Sequence, residues 1–289
     1  MPLAPAAHAH SAGTIPSRDA RLLDVEQVTK RFVTTEGAIT AVDDVSFSVA
    51  PGEFVSIIGP SGCGKSTLFN IIGGLLGDYD GRVMVAGDTV SGTHPAIGMV
   101  FQEETTFPWR TVLDNVAFSL EIAGKPKPER QERAAHFVTM VGLSGFERRY
   151  PAELSGGMRQ RVALARTLAS EPRILLMDEP FAALDEQTRL LLGDRVLQIQ
   201  QELKQTTLLI THNLTEAVQL SDRVLVMSYR PGRLMRVVNI ALPHPRDSEV
   251  VSSATFGHYV AEIWHDLRTE ASRGIADAES RVLRGGTKR

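Results

Sequence analysis

The glycine-rich segment that follows residues 54–58 constrains this chain more than any other feature. The sequence FVSII at 54–58 is a short apolar run, which predicts a strand buried on both faces, as in a parallel sheet. The sequence GPSGCGKST follows directly at 59–67 and matches the pattern G-x-x-x-x-G-K-[ST]. Between a strand and a helix this pattern forms a phosphate-binding loop, because the backbone N–H groups and the positive end of the helix dipole face the same anion.

The residue types in this loop suit a nucleotide and its metal ion. Lys65 is long enough to reach the β- and γ-phosphates, and the Ser66 hydroxyl is a ligand for Mg²⁺. We interpret Cys63 as a small loop residue, and a redox role is the alternative. The loop residues that we expect to bind the nucleotide are Gly59, Pro60, Ser61, Gly62, Cys63, Gly64, Lys65, Ser66 and Thr67.

Strand-like and helix-like segments alternate along much of the chain. Short apolar runs at 173–178, 206–211 and 223–228 are separated by segments with helical spacing at 185–204 and 213–221. Residues 111–169 carry helical spacing without an intervening strand. Alternation of this kind predicts an α/β fold with a largely parallel sheet, and the helix-only block predicts an additional helical lobe.

Two adjacent carboxylates end one of these apolar runs. In ILLMDEP at 174–180, Asp178 and Glu179 lie at the carboxyl end of a predicted strand, which is where ligands bind in open α/β sheets. Asp178 is suited to hold Mg²⁺ through its waters. Glu179 is suited to act as the general base for water that attacks the γ-phosphate. A solvated strand end is the alternative interpretation.

Single polar residues follow two further predicted strands. Gln102 comes after IGMVF at 97–101, and His212 comes after TTLLIT at 206–211. Gln102 is placed to sense the metal and the γ-phosphate, and His212 to contact that phosphate or orient the water. For each of these side chains alone, a structural role is the alternative.

Two adjacent glycines begin another predicted helix, in LSGGMRQR at 154–161. Inside a helix each glycine is less favourable than alanine by roughly 1 kcal/mol. At the helix N-terminus they leave backbone N–H groups accessible to an anion. The sequence pattern alone does not identify that anion.

The order of these motifs resembles the ATP-binding subunits of ABC transporters, over about residues 22–228. The phosphate loop, Gln102, LSGGMRQR, ILLMDEP, AALD at 182–185 and His212 follow one another as in that family. The resemblance implies the ABC ATPase variant of the P-loop NTPase fold. We therefore expect an ATP-binding domain over 21–231 with a mostly parallel sheet, an antiparallel β subdomain and a helical signature subdomain at about 103–169.

The resemblance also implies how the site works. Two copies would associate head to tail around two ATP molecules, so that Ser155, Gly156 and Gly157 of one copy face ATP held by the other. Phe32 would stack on the adenine, with a buried core phenylalanine as the alternative, and Asp185 would lie at the dimer interface. The implied catalytic residues are Glu179, His212 and Gln102, and the implied Mg²⁺ ligands are Ser66, Gln102 and Asp178.

Two segments resemble the nitrate, sulfonate and taurine importer ATPases of bacteria. They are FQEETTFPWRTVLDNV at 101–116 and LPHPRD at 242–247. The resemblance implies a homodimer beneath two membrane-spanning permease subunits, with a separate solute-binding protein, at the cytoplasmic face of the inner membrane. Phe107, Pro108 and Trp109 would lie at or near the permease contact; for Trp109, packing within the helical lobe is the alternative.

The alternative function is a soluble ABC ATPase that acts on nucleic acid or the ribosome. The net charge of −3 offers no basic excess of the kind that nucleic-acid binding usually requires. The single set of motifs and the short spacing between them also favour the transporter over the two-domain and coiled-coil relatives of that class. We therefore expect no nucleic-acid partner.

The two ends of the chain are predicted to lie outside the ATP-binding domain. Residues 1–20 lack the charged and apolar regions of a signal peptide and are predicted to be a disordered tail. Residues 232–289 are predicted to be a C-terminal extension that packs on the domain, and a regulatory sensor is the alternative. Within it Val260, Ile263, Trp264 and Leu267 share one helix face.

Overall fold

The computed structural model describes residues 21–285 apart from residues 36, 104, 245 and 247, and it describes no side chain at 248 or at 275–285. The predicted tail at 1–20 lies outside the described residues. The strands are β1 (Leu23–Thr34), β2 (Gly37–Val49), β3 (Phe54–Ile58), β4 (Asp80–Val85), β5 (Asp88–Thr89), β6 (Ile97–Val100), β7 (Ile174–Asp178), β8 (Thr206–Ile210), β9 (Arg223–Met227) and β10 (Leu234–Asn239). The helices are α1 (Lys65–Ile72), α2 (Val112–Ile122), α3 (Lys127–Met140), α4 (Gly156–Leu168), α5 (Glu186–Leu203), α6 (Leu214–Leu220) and α7 (Ala254–Gly285).

The core of the fold is a sheet with the strand order β10-β9-β3-β8-β7-β6. The five strands β6, β7, β8, β3 and β9 run parallel to one another in this spatial order. Strand β10 pairs antiparallel with β9 at the edge. Every residue of β3, β7 and β8 is buried, because helices cover both faces of a parallel sheet. The short apolar runs in the sequence therefore predicted these strands correctly.

A second, antiparallel sheet has the order β2-β1-β4-β5. Strand β1 lies between β2 and β4, and irregularities in its register bend it along both neighbours. At its far end Phe32 pairs with Ile39 of β2. The two sheets and the helices give the mixed α/β architecture that the sequence predicted.

Helices α2, α3 and α4 pack together as a lobe without strands. The side chain of Thr111 accepts a hydrogen bond from the Asp114 N–H at the start of α2, and Ser155 accepts one from the Met158 N–H at the start of α4. Such caps satisfy N–H groups that have no partner within the helix. They fix where the helices begin, and so place Gly156 and Gly157, the two signature glycines, on the first turn of α4.

The C-terminal segment joins the main sheet before it forms a helix. Strand β10 belongs to the predicted extension yet pairs with β9, and α7 then packs across α6 and β9. Ile263 and Leu267 are buried as their spacing predicted, but Trp264 is 52% exposed. The buried part of this helix face therefore includes Ile263 and Leu267 and ends short of Trp264. The division at residue 231 stays a prediction.

Among the described residues, no helix is both long and apolar enough to cross a membrane.

Candidate functional site

The site lies at one edge of the main sheet, where the carboxyl ends of the parallel strands meet. The phosphate loop follows β3, Gln102 follows β6, Glu179 follows β7 and His212 follows β8. Asp178 pairs with Ile210, and the Glu179 N–H donates to the Ile210 carbonyl at 2.9 Å. The register of two strands therefore brings Glu179 and His212 together, although they are 33 residues apart.

A cleft of about 540 Å³ opens at this edge. Its walls come from the tip of the antiparallel sheet on one side and from the phosphate loop on the other. The lining residues are Phe32, Ile39, Ala41, Ser61, Gly62, Gly64, Lys65, Ser66, Thr67, Gln102, Glu179 and Arg230. Half of the site residues predicted from the sequence thus border this one cavity.

The phosphate loop needs glycine at Gly64 for two reasons. Its φ of +100° is in the region that favours glycine. A Cβ there would lie 2.5 Å from the carbonyl oxygen of Ala41, which is backbone and has little freedom to move. The loop therefore packs directly against β2, and this contact sets the position of the loop relative to the antiparallel sheet.

Lys65 is held by the loop to which it belongs. Its Nζ donates to the carbonyl oxygens of Gly59 at 2.9 Å and Pro60 at 3.1 Å, and only 7% of the residue is exposed. The Pro60 carbonyl also accepts from the Cys63 N–H. The carbonyls of Gly59 and Pro60 thus accept hydrogen bonds from the lysine and from within the loop. This arrangement leaves other loop N–H groups available to an anion.

Asp178 is a buried carboxylate with unused bonding capacity. Burial raises the pKa of its carboxyl above the ordinary value, the hydrogen bond with Ser66 opposes that rise, and the charge of Glu179 adds to it. Its Oδ1 atom is buried and has no hydrogen-bond partner among the described residues. A buried oxygen of this kind, beside the Ser66 hydroxyl, fits the needs of a hard divalent cation.

Glu179 is the centre of a small polar group at the mouth of the cleft. His212 Nδ1 lies 3.1 Å from Glu179 Oε2, and Gln102 Nε2 lies 3.5 Å from the same oxygen. Glu179 has a φ of +45°, which is uncommon for a residue with a side chain and recurs at functional sites. The strand end turns sharply here and presents the carboxylate to the cleft.

Phe32 lies in the wall of the cleft and is 38% exposed. The ammonium group of Lys30 lies 5.2 Å from the centroid of its ring. The alternative of a buried core phenylalanine is therefore wrong. The exposed ring is placed where a flat base can stack on it.

Ser155, Gly156 and Gly157 at the start of α4, and Asp185 before α5, lie outside this cleft. Among the described residues that line it, none belongs to Ser155–Gly157 or to Asp185. Gly157 is buried against the start of α5, where a Cβ would lie 3.2 Å from Thr188 Cγ2. Asp185 caps α5 by accepting from the N–H of Thr188 at 2.9 Å, and this hydrogen bond lowers the pKa of the Asp185 carboxyl.

Three residues of the cleft wall, Ile39, Ala41 and Arg230, were not predicted from the sequence. Ile39 and Ala41 belong to β2, and their role depends on the contact between the two sheets, which no local pattern reveals. Arg230 follows β9 by three residues. The rule that found Gln102, Glu179 and His212, a polar residue just beyond a parallel strand, would have found it too.

The segment after Gln102 is anchored within the helical lobe, but its aromatic tip is not. Buried Asn115 accepts from the Phe107 N–H at 2.7 Å and donates to the Phe107 carbonyl at 3.1 Å. Trp109 is 72% exposed, with its ring centroid 5.7 Å from that of Phe107. The alternative in which Trp109 packs inside the lobe is therefore wrong.

Comparison with known proteins identifies the family. The family model described as ABC transporter matches residues 42–182. An uncharacterized ABC transporter ATP-binding protein of Methanocaldococcus jannaschii is 49% identical over 253 residues, which is 88% of this chain and 94% of that protein. This chain belongs to the ABC transporter ATP-binding proteins. As a member of that family it binds a nucleotide and is an ATPase.

Other relatives agree with this assignment. An aliphatic sulfonates import ATP-binding protein of Bacillus cereus is 41% identical over 224 residues, 78% of this chain and 88% of that protein. An ATP-binding cassette solved as a dimer in a post-hydrolysis state with ADP and Pi is 32% identical, with a TM-score of 0.68 over 76% of this chain and 100% of that one. The cbiO1 protein of Clostridium perfringens, part of an ABC transporter complex, is 26% identical with a TM-score of 0.71 over 83% and 94% of the two chains.

Replacing Gly64 by alanine tests whether the loop position matters for the nucleotide. We expect Gly64→Ala to lose measurable ATP binding, because the added Cβ forces the loop away from Ala41. The control is Gly87→Ala, where φ is +91° but the described structure has nothing within 4 Å of the added Cβ. Both variants should lose about 1 kcal/mol or more of stability from backbone strain, measured by urea denaturation. Equal ATP affinity in both variants, measured by calorimetry, would contradict the loop's role.

Proposed function

We propose that this ATPase energises an importer of a small organic anion, such as an aliphatic sulfonate, taurine or nitrate. The observation that carries the proposal is that the phosphate loop, Gln102 and Glu179 line one cleft, with His212 in contact with Glu179. Ser155, Gly156 and Gly157 lie outside that cleft. Relatives named as aliphatic sulfonates import ATP-binding proteins, at 40–41% identity, support import over action on nucleic acid or the ribosome.

The residues at the cleft have distinct roles in this proposal. Phe32 stacks on the adenine, N–H groups from within the loop at 59–67 bind the phosphates, and Lys65 neutralises the β- and γ-phosphates. The Glu179 carboxylate accepts a proton from water as the water oxygen bonds to the γ-phosphorus. The bond from that phosphorus to the bridging oxygen breaks, and ADP leaves with the electron pair. Losing such a base slows hydrolysis by about 10²- to 10⁴-fold.

His212 and Gln102 hold the carboxylate that acts as base. Both approach the same oxygen of Glu179, so they fix its direction relative to the γ-phosphate. His212 is largely exposed on its other side, where it can meet the γ-phosphate or the attacking water. Together they give the carboxylate one orientation and reduce the reorganisation needed for proton transfer.

The residues beside Lys65 fit a magnesium ion. Ser66, Asp178 and Gln102 would hold it, and the unpartnered Oδ1 of Asp178 supports that assignment. Magnesium in nucleotide sites takes one or two protein carboxylates and completes its shell with phosphate and water oxygens. When bound, the ion neutralises charge that develops on the β- and γ-phosphates.

A second copy of this chain supplies the remaining wall of the site. The N-terminus of α4, with Ser155, Gly156 and Gly157, lies outside the cleft of its own chain. A helix N-terminus favours an anion by roughly 0.3–1 kcal/mol, and by up to about 2 kcal/mol when partly buried. In a head-to-tail homodimer these N–H groups face the γ-phosphate held by the partner. A related cassette is dimeric with ADP and Pi, which supports this arrangement.

The exposed Trp109, whose ring lies beside that of the partly buried Phe107, is the proposed contact with the permease. Large aromatic side chains anchor protein interfaces, and this one is attached to the segment that carries Gln102. A movement of Gln102 on hydrolysis is therefore transmitted to the tip. Two membrane-spanning subunits would hold the homodimer at the cytoplasmic face of the membrane, with a solute-binding protein delivering the anion.

Dimerisation of the Glu179→Gln variant tests the proposed ATP sandwich. Light scattering with ATP in the absence of Mg²⁺ should give a dimer, and the nucleotide-free variant should be a monomer. Adding Gly156→Asp should abolish the dimer by placing a carboxylate against the γ-phosphate, whereas Gly156→Asn should retain it. Among the described residues, the one atom within 4 Å of a Cβ at position 156 is Arg159 Nη2, at 3.9 Å, so both variants should fold. A dimer insensitive to Gly156→Asp would contradict the sandwich.

Replacing Asp178 by asparagine tests the magnesium site. Because the folded state raises the pKa of this carboxyl, the folded chain holds more protons than the unfolded chain between the two pKa values. The free energy of unfolding therefore falls as pH rises through that window. Without nucleotide or Mg²⁺, Asp178→Asn should raise the melting temperature at neutral pH. It should also remove the extra thermal stabilisation that Mg²⁺ adds to ATP, while the exposed-site control Asp80→Asn retains it.

Replacing Trp109 by alanine tests the permease contact. In the native host, the fraction of the tagged chain that sediments with membranes should fall about tenfold, because the proposed permease contact loses its aromatic anchor. ATP hydrolysis by the isolated chain should stay within twofold of the unmodified chain. Trp264→Ala, which removes the exposed tryptophan of α7, is the matched control. Equal loss of sedimentation in both variants would argue against a specific contact at Trp109.

A further inference from the structure

Arg230 places a second positive charge in the nucleotide cleft. It lies three residues beyond the end of β9 and is exposed at the cleft wall. Among the described residues that line the cleft, the cationic ones are Lys65 and Arg230. Lys65 belongs to the phosphate motif, whereas none of the sequence motifs includes Arg230.

The guanidinium of Arg230 lies directly against the phosphate loop. Its Nε donates to the Gly62 carbonyl at 2.7 Å. A Cβ at Gly62 would lie 2.8 Å from Arg230 Nη2, so the absence of a side chain at Gly62 lets the arginine approach. The φ of Gly62 is +73°, which also favours glycine.

This contact leaves the arginine able to bind phosphate. One N–H group is used on Gly62, and a guanidinium has five N–H donors in a planar fork that suits phosphate oxygens. The opposite end of the cleft, with Phe32 and Ile39, is apolar and suits the base. The charge of Arg230 therefore lies at the loop end, where the phosphates are expected.

The C-terminal helix fixes the segment that carries Arg230. Glu270 of α7 is only 2% exposed, and its Oε2 accepts a hydrogen bond from the Tyr229 N–H at 2.7 Å. One helical turn later, a Cβ at Gly274 would lie 3.0 Å from the Tyr229 ring. Helix α7 thus contacts both the backbone and the side chain of Tyr229, the residue immediately before Arg230.

We propose that Arg230 is a nucleotide-binding residue that contacts the phosphate groups of ATP beside Lys65, and that Glu270 is the positioning residue that sets its place. This inference rests on the proposed nucleotide site. It also means that α7 affects ATP binding, because a displacement of α7 moves the segment that carries Arg230.

The affinity for ATP tests the role of Arg230. In the Glu179→Gln background without Mg²⁺, Arg230→Gln should weaken ATP binding about tenfold, whereas Arg230→Lys should stay within threefold because it retains the charge. Arg233→Gln is the matched control, since Arg233 lies on the same segment but pairs with Asp43. The proposal is overturned if Arg230→Gln binds ATP within twofold of its parent. It is also overturned if Arg230→Lys is as weak as Arg230→Gln, since charge then has no part.

Lys65→Ala separates this proposal from the nucleotide site on which it rests. If Lys65→Ala loses ATP and Arg230→Gln does not, only the role of Arg230 fails. If both variants bind ATP as tightly as their parent, the nucleotide site itself has been placed wrongly.

A double-variant measurement tests the role of Glu270. Glu270→Ala should weaken ATP binding about threefold or more, and Glu270→Gln should restore it, because the amide oxygen can accept from the Tyr229 N–H. Asp266→Ala, on the same helix but paired with Arg236, should have no effect. If Glu270 acts through Arg230, adding Glu270→Ala to Arg230→Gln should weaken binding no further. Additive losses, or unchanged affinity in Glu270→Ala, would overturn the positioning role.

Discussion

The parallel pairing of β7 with β8 is the interaction on which the site depends. Asp178 pairs with Ile210, and the next N–H, that of Glu179, donates to the same residue. A shift of one residue in this register would turn the carboxylates to the opposite faces of the sheet and separate Glu179 from His212. The wholly buried sides of both strands oppose such a shift, because it would move apolar side chains out of their packing positions. The hydrophobic core thus secures the geometry of groups that are themselves polar and partly exposed.

The phosphate loop joins the two sheets and so makes the cleft a product of their packing. Gly64 allows the loop to approach Ala41 of β2, and Gly62 allows Arg230 to approach from the end of β9. Each glycine therefore serves a contact with another element as well as the turn itself. The nucleotide cleft combines residues from an antiparallel sheet, a parallel sheet and the segment before β10, and it requires all three to be packed together.

The parts of the site that the sequence predicted are those governed by local rules. A buried run followed by a polar residue indicates a strand end, and the carboxyl ends of parallel strands share one edge. Glu179, His212 and Gln102 meet at that edge. The wall from β2 was missed because it depends on how the sheets dock. Helical spacing grouped Trp264 with Ile263 and Leu267 on one face, but spacing gives the direction of a face and not the width of the buried contact. Exposure of Phe32 and Trp109 was left open for the same reason, since neither follows from neighbours in the chain.

The two signature glycines, Gly156 and Gly157, have different environments. Gly157 is required by the packing of the chain, whereas Gly156 is not. Gly157 is packed against Thr188 and Leu184, so a side chain there would press on the start of α5. In the part of the chain that the structure describes, a Cβ at Gly156 would come within 4 Å of Arg159 Nη2 alone, and Gly156 lies outside the cleft of its own chain. The packing of α4 against α5 therefore requires glycine at the second position but not at the first. The first position is left for contact outside the chain, and this is the physical reason to look for its partner in a second copy.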